Sequence, residues 1–331
     1  MRHSIIIVNF RGWDDLATCL DSLAYLITRE SPQTEIVVVD NCSDDGQLGP
    51  VSERYPDVCF VENTGNHGFA NGCNLGASTA SGDQLLFLNP DARDPGQQVQ
   101  RLFQIKSEHD NTTLLTVRQL DQKGKPQKVF DNFPSALTLF GPIRALLRLI
   151  ARRSYADARR VQDRWLEVDW VSGAVIMIAR SAFDALQGWC DDYWMYSEDV
   201  DLCRRARNMG FRVAYSGEVT LEHRHGGSSR RNAETRALTK SEVIISRHLY
   251  AHRHLAWPHA VLYHSLIVTF RYLPLVLAAL VQRFWKNTPY AIHIRAVMFT
   301  RLSAYYCRII LEGNWLSKRS INYKPPVGRR T

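Results

Sequence analysis

Four short apolar runs punctuate the first quarter of the chain, at residues 4–9, 35–40, 58–62 and 84–88. They are rich in Val, Ile and Leu and lack the polar alternation of a half-exposed strand, which is the pattern of strands buried on both faces of a parallel sheet. Helical spacing fills the gaps between them. Within 14–28, Leu16, Leu20, Leu23 and Ile27 share one face, and Asp14 or Asp15 is placed to cap. Two more helices are predicted at 48–55 and 68–81. Strand and helix in alternation predict an α/β domain with a mostly parallel central sheet flanked by helices. Such sheets bind ligands at the carboxyl ends of their strands. The polar residues there are Asn9, Asp40 with Asn41, Glu62 with Asn63, and Asn89-Pro90-Asp91.

The pattern loosens over 120–169, where a basic helical stretch is expected around 143–164. It tightens again into a strand at 168–179, a helix at 197–209, and strands at 212–215 and 219–223. The last hundred residues read as helical. Residues 260–281 are apolar for 22 positions but include His264, Arg271 and Pro274. A mid-bilayer arginine is costly, so an interfacial or core-packed helix pair is expected rather than a span.

With 331 residues, 45% of them hydrophobic, the chain can build one large domain and an appendage. The net charge of +8 conceals a division. From Arg230 onward there are 17 Lys/Arg against 3 Asp/Glu, whereas the preceding residues hold 24 against 30. A basic tail rich in Trp, Tyr, Phe and Leu favours anionic membrane lipid over nucleic acid, for which no aromatic-basic reading motif is visible. Seven cysteines without CxxC spacing argue against a zinc site and for a reducing compartment. The N-terminal apolar run is too short for a signal peptide.

Three carboxylate clusters could carry chemistry. Asp40, leaving a buried strand into Asn41-Cys42-Ser43-Asp44-Asp45-Gly46, could accept the imide N–H of uracil or thymine, or simply cap a turn. Asp91, behind Asn89 and a rigid proline, is placed to hold a divalent cation that bridges substrate phosphates, or to close a turn. Glu198, Asp199 and Asp201 open a helix that Arg204, Arg205 and Arg207 follow. Helix-end electrostatics explains that pattern, and so does a general base whose neighbours raise its proton affinity. After the late strand, His223 and His225 precede Gly-Gly-Ser-Ser and could meet a metal or a phosphate.

In this order the segments resemble the family 2 glycosyltransferases of GT-A fold, and most closely the rhamnosyltransferase-like branch of bacterial surface-polysaccharide enzymes. The matching pieces are residues 4–10, Asp40-Asn41-x-Ser43, and Glu62-Asn63-x-x-Asn66-x-Gly68-Phe69-Ala70-x-Gly72-x-Asn74-x-Gly76. They continue with Leu88-Asn89-Pro90-Asp91, Trp170-Val171-Ser172-Gly173-Ala174, Glu198-Asp199-x-Asp201-Leu202-Cys203-x-Arg205, and the His-Gly-Gly-Ser segment.

The resemblance covers about residues 1–230 and implies a catalytic domain there, with a donor half to about 119 and an acceptor half from 120; residues 231–331, basic and helical, are expected from their composition to associate with membrane. It implies inverting transfer of a sugar, L-rhamnose from dTDP-L-rhamnose before a UDP-hexose or galactofuranose. The acceptor would be a saccharide, free or linked to polyprenyl diphosphate. Asn9, Asp40, Asn41, Asn66, Gly68, Asn74 and Asn89 would line the donor site. Asp91 with His223 or His225, His223 favoured, would hold Mg2+ or Mn2+. Asp199 would be the base with Glu198 beside it, and Trp170, Ser172, Gly173, Ala174 and Asp201 would shape the acceptor side. Peripheral attachment to the cytoplasmic face of the inner membrane is expected. A dehydrogenase is excluded because Asn9-Phe10-Arg11-Gly12 is not a G-x-G-x-x-G loop. A nucleotide-sugar-binding subunit without chemistry is the non-enzymatic alternative.

Overall fold

A computed structural model describes residues 1–27, 33–93, 95–150, 158–159, 161, 165–224, 232–285 and 288–325. The chain divides into two compact units. The first takes in residues 1–133, 141–190 and 198–227; the second takes in 134–140, 191–197 and 228–331.

The strands of the first unit are β1 (His3–Asn9), β2 (Thr34–Asp40), β3 (Cys59–Glu62), β4 (Gln84–Leu88), β5 (Ala92–Arg93), β6 (Thr113–Leu120), β7 (Phe130–Asp131), β8 (Trp165–Glu167), β9 (Trp170–Val171), β10 (Val175–Ala179) and β11 (Arg212–His223). Its helices are α1 (Trp13–Leu23), α2 (Leu48–Arg54), α3 (Phe69–Thr79), α4 (Gly96–Ser107), α5 (Gly141–Ile150), α6 (Arg180–Ala185) and α7 (Glu198–Asn208). The main sheet runs β3-β2-β1-β4-β10-β6-β11-β5, with β8 also on β11. The pairs β3-β2, β2-β1, β1-β4 and β6-β11 are parallel, while β10, β5 and β8 run antiparallel to their neighbours.

Both faces of this sheet are covered, which is why its strands read as unbroken apolar runs. Ile5 and Ile7 point to the face packed by Leu16 and Leu20 of α1 and by Val99 and Leu102 of α4. Ile6 points to the other face, under Ala70, Cys73 and Ala77 of α3 and Leu202 and Cys203 of α7. Glycine is costly within a helix, by about 1 kcal/mol against alanine. Yet a Cβ on Gly72 would lie 2.7 Å from Val8 Cγ1, and one on Gly76 would lie 2.5 Å from Ile6 Cγ2. These two positions let α3 lie directly on β1.

Three expectations are corrected by the structure. Helix α1 begins at Trp13 with Gly12 as its N-cap, so Asp14 and Asp15 sit in the first turn. There they favour the helix dipole instead of capping. The expected strand over 168–179 is two strands in two sheets: β9 pairs with β7, and β10 enters the main sheet beside β4. Conversely, the two strands expected over 212–223 are one, with an irregular register between Ser216 and Thr220. Of the basic helical stretch expected around 143–164, residues 143–150 belong to α5, and 151–157, 160 and 162–164 lie outside the described residues.

The second unit is helical: α8 (Ala233–His254), α9 (Trp257–Ile267), a π turn (Val268–Tyr272), α10 (Leu273–Phe284) and α11 (Tyr290–Glu312). Asn232 caps α8 by accepting from Thr235 N at 2.8 Å. Ile244, Tyr263, Ile267, Leu275, Met298 and Leu302 are part of its core. Beside this core Glu242 is buried, and its Oε1 accepts from Ser317 Oγ at 3.0 Å. Burial pushes its carboxyl up to about 7, against the opposing pull of the Ser317 hydroxyl and the cations of Arg319, Arg301 and Arg308. A carboxyl raised on folding contributes stability that is present below its unfolded value and lost as pH rises through its folded one. Glu242→Gln should therefore gain stability on the wild type as pH rises from about 4.5 to about 7, by at most about 3 kcal/mol. Denaturant melts of both proteins from pH 4.5 to 8 check this; a difference that stays constant with pH would refute it.

Candidate active site

Parallel register places Asn9 beside Asp40, and Asp40 beside Glu62, in one row at the carboxyl ends of β1, β2 and β3. All three strands stop there because the chain turns polar and must satisfy its own backbone. Asp40 accepts from Ser43 N at 2.9 Å and also from Ser43 Oγ, closing the turn in which Cys42 and Asp44 take left-handed φ values of 60° and 47°. Arg11, itself left-handed at φ 55°, joins the same turn, donating from its backbone N to Ser43 Oγ and from Nε to Ser43 O, both at 2.8 Å. Asp40 is thus an anchor of the loop. Asn9 is fully buried; its Oδ1 accepts from Gly12 N at 3.1 Å, and its Nδ2 has no partner among the described residues. Asn41 bridges Asn63 at 2.9 Å, the Gly68 carbonyl at 3.0 Å and Asn66 at 3.3 Å. Gly68 stands before α3 at φ 96°, where a side chain would strain the backbone.

A second corner lies at the end of β4. His223, the last residue of β11, is 2% exposed, and its Nε2 is 2.8 Å from Asp91 Oδ1 and 3.3 Å from Asn89 Nδ2. The β5–β11 pairing holds it there, with His223 opposite Ala92, and Gln127 Nε2 donates to the His223 carbonyl at 2.6 Å. Asp91 and His223 are a carboxylate and an imidazole suited to Mg2+ or Mn2+. Among the described residues, though, no group of three or more His, Cys, Asp or Glu could hold a metal. An ion here would need substrate phosphates and water to complete its shell.

The third part comes from the turn between β9 and β10. Gly173 N donates to Asp199 Oδ2 at 3.1 Å, and Ala174 O accepts from Asn89 N at 2.9 Å. One turn therefore ties the start of α7 to the end of β4. Asp199 Oδ1 also accepts from Val200 N at 2.8 Å. Burial raises the Asp199 carboxyl, and these backbone donors pull it back down. Glu198, more buried than Asp199 and with Oε2 unpartnered among the described residues, is raised well above the carboxylate range by burial first and then by the charges of Asp199 and Asp201. Burial raises both carboxyls, and the Gly173 and Val200 N–H donors oppose that rise at Asp199. Tyr196 and Ser197, just before α7, both have positive φ, 70° and 63°. Such outliers cost about 1–3 kcal/mol each and gather at functional sites.

Asp201 is elsewhere. It is fully buried against Arg205, Nε to Oδ2 at 2.7 Å, and Arg205 also donates to the carbonyls of Leu186 and Gly188. This arrangement fixes α7 to the loop after α6 and leaves Asp201 no acceptor to contact. Asn74, expected on the donor side, is likewise spent: its side chain exchanges two 2.9 Å hydrogen bonds with the backbone of Trp189. Trp170 donates to Asn132 O at 2.9 Å, and Ser172 N donates to Val129 O at 2.8 Å, so both belong to the β7–β9 ribbon, with Lys128 over the Trp170 ring at 5.7 Å. His225 and the Gly-Gly-Ser segment lie outside the described residues. Arg11 and Gln127 were not anticipated. Arg11 was legible only as the polar residue after a strand end, and Gln127 carried no local signal.

The fold is a GT-A fold, shared with solved glycosyltransferases. One is GalNAc-T7 with UDP, GalNAc and Mn2+ (TM-score 0.52, 16% identity, 76% of this chain and 50% of that one). Another is the mannosyltransferase PcManGT of Pyrobaculum calidifontis with GDP-Man and Mn2+ (TM-score 0.51, 18% identity, 95% and 88%). Residues 4–183 match the family described as Glycosyl transferase family 2, and the chain belongs to that family. Among curated relatives, the low-salt glycan biosynthesis hexosyltransferase Agl10 of Haloferax volcanii is 27% identical over 66% of this chain and 66% of its own length. The N-acetylglucosaminyl-diphospho-decaprenol L-rhamnosyltransferase of Mycobacterium tuberculosis is 26% identical over 76% and 85%. Rhamnosyltransferase WbbL of Escherichia coli is 25% identical over 64% and 79%.

The Asn74 clamp separates architecture from ligand contact. Asn74→Ala removes two backbone partners and should destabilise the fold by about 1–3 kcal/mol while leaving nucleotide affinity unchanged. Chemical denaturation and calorimetry with dTDP and UDP test this, and a selective loss of nucleotide binding would return Asn74 to the donor site.

Proposed function

We propose that the protein transfers a sugar with inversion from a nucleoside-diphosphate donor to a saccharide hydroxyl, with Asp199 as the general base. The observation that carries this is the pair at the start of α7: Asp199, which accepts from Gly173 N–H, beside Glu198, whose carboxyl burial raises well above its ordinary value. The same turn reaches Asn89 and so links the base to the Asp91–His223 corner, where the donor diphosphate would lie.

A sugar hydroxyl is a weak nucleophile at neutral pH, and a base within hydrogen-bond reach raises its reactivity. In a single displacement, the acceptor oxygen bonds to the anomeric carbon as the anomeric C–O bond to the diphosphate breaks. The hydroxyl proton goes to Asp199, and the bonding pair leaves with the nucleoside diphosphate. Asp91 and His223 would hold a divalent cation, whose charge when bound offsets that developing on the leaving diphosphate. Asp40, set by Ser43 and Arg11, would meet a pyrimidine imide from one side of the donor pocket.

We assign the donor as dTDP-L-rhamnose and the acceptor as a saccharide linked to polyprenyl diphosphate, with bacterial surface polysaccharide as the product class. The mycobacterial and Escherichia coli relatives, named as rhamnosyltransferases, support this, and the first of those names carries a diphospho-decaprenol acceptor. The haloarchaeal hexosyltransferase supports the second reading, a UDP-hexose donor.

Asp199→Asn should lower kcat by at least about 100-fold with donor affinity retained. In the wild type the acid limb of kcat/KM should fall above the ordinary aspartate range, because burial raises the base and activity is lost as pH drops through its value. Near-normal turnover in Asp199→Asn with an inactive Glu198→Gln would exchange the two roles; product of retained configuration would end the single-displacement scheme. Because the protein supplies few metal ligands, Mn2+ should bind weakly alone and much more tightly with dTDP present. Calorimetry with and without nucleotide measures that, and full activity in EDTA would remove the metal from the scheme. Competition among dTDP, UDP and GDP reports the base preference, and preference for GDP would overturn the pyrimidine assignment.

A further inference from the structure

The second unit carries a surface that the transfer chemistry does not use. Trp257–Phe284 forms 28 residues of helix, long enough to cross a membrane; its most apolar stretch has a mean hydropathy of 1.7, and little of that stretch is buried. Tyr263, Ile267 and Leu275 pack inward. Trp257, Leu262, Phe270, Leu273, Leu277 and Phe284 face outward, with Leu277 at 68% and Phe284 at 81% exposure.

That one face stays apolar along the whole length is a consequence of the π turn. Ile267 and Leu275 are eight residues apart, whereas two α turns take about 7.2, so a regular helix would rotate Leu275 roughly 80° out of line. An i→i+5 turn takes up the extra residue, and Val268–Tyr272 is such a turn. Leu275 returns to the buried side, and the outward residues of α9 and α10 continue one another. A helix that is apolar all round needs apolar cover on every side. The protein covers one side only.

We propose that this outward face is an in-plane docking surface for an anionic phospholipid bilayer, an inference that does not depend on the donor or the base. Arg271 and Arg283 are exposed beside the apolar residues, within a region holding 17 Lys/Arg against 3 Asp/Glu. Trp257 and Trp285, 77% and 65% exposed, mark the two ends, a placement that suits the headgroup level. Beside the ridge, α10 and α11 border an open cleft of about 450 Å3, whose lining includes Val276, Leu280, Val297, Phe299 and Arg283. Such a cleft fits an acyl chain whose phosphate meets Arg283.

The helix is bound along its length to the rest of its unit. Tyr272 OH and Ser303 Oγ are 2.8 Å apart, Gln282 Nε2 and His293 Nδ1 are 3.0 Å apart, and His248 Nδ1 and His264 Nδ1 are 2.8 Å apart. A spanning orientation would break these contacts and uncover Tyr263 and Ile267. Lying in the interface keeps them and buries only the outward face.

Co-sedimentation of the full chain with phosphatidylcholine vesicles, with and without 30% phosphatidylglycerol, tests the proposal. Binding should require phosphatidylglycerol and weaken with salt. Arg271→Ala with Arg283→Ala should lower partitioning roughly thirtyfold, and Leu277→Asp with Phe284→Asp should abolish it while donor hydrolysis continues. In the wild type, bromolipids should quench tryptophan fluorescence, and carbonate should release the bound protein. No vesicle binding, binding unchanged in the Leu277→Asp/Phe284→Asp protein, or retention through carbonate as a spanning helix would each overturn the proposal. So would a dimer that this substitution dissociates without any affinity for lipid, which would assign the face to a second copy of the chain.

Discussion

The turn Ser172-Gly173-Ala174 is the constraint on which the site depends. It sits where the chain leaves the small β7–β9 ribbon and enters the main sheet as β10. Its two backbone groups point to different places: Gly173 N–H to Asp199, Ala174 C=O to the N–H of Asn89. Backbone bonds of this kind hold distances that side-chain contacts could not. A Cβ on Gly173 would lie 3.3 Å from Phe69 and 3.5 Å from both Trp189 and Asp199, so the turn is closely packed on three sides. The start of α7 and the end of β4 are therefore parts of one rigid frame.

Burial then differentiates the groups this frame holds. Glu198 and Asp199 are neighbours in sequence, but only Asp199 receives Gly173 N–H along with its own helix-start donor. Desolvation raises both carboxyls, and backbone hydrogen bonding to the charged form opposes the rise. Asp201, a further carboxylate on the same turn of helix, is neutralised by Arg205 and becomes part of the framework. Three acids in four positions thus do three different things.

The second unit solves another problem with similar means. A π turn costs helical regularity and restores phase, so one apolar face packs inward and the other runs unbroken outward. Its interior also encloses charge, with Glu242 beside Ser317 and near several arginines. The unit combines an apolar surface with a polar interior contact, and both are read from helix phase and not from composition alone.

The parallel strands, their order of helices and the polar row at their carboxyl ends were legible in the sequence, because a strand covered on both faces must be apolar at every position. What periodicity could not reveal was any feature in which one residue satisfies another far along the chain. The division of 168–179 between two sheets follows from pairing with 130–131 and with 84–88. Asn74 was placed on the donor side by the resemblance alone, and only the approach of Trp189 shows that both ends of its amide hold backbone. The sequence by itself determined which residue types stand at the ends of the strands, since local backbone and burial demands act over a few positions. Tertiary structure alone decided which carboxyls burial raises, which is paired with an arginine and which lies against a histidine, because those outcomes depend on desolvation and on partners supplied from distant segments.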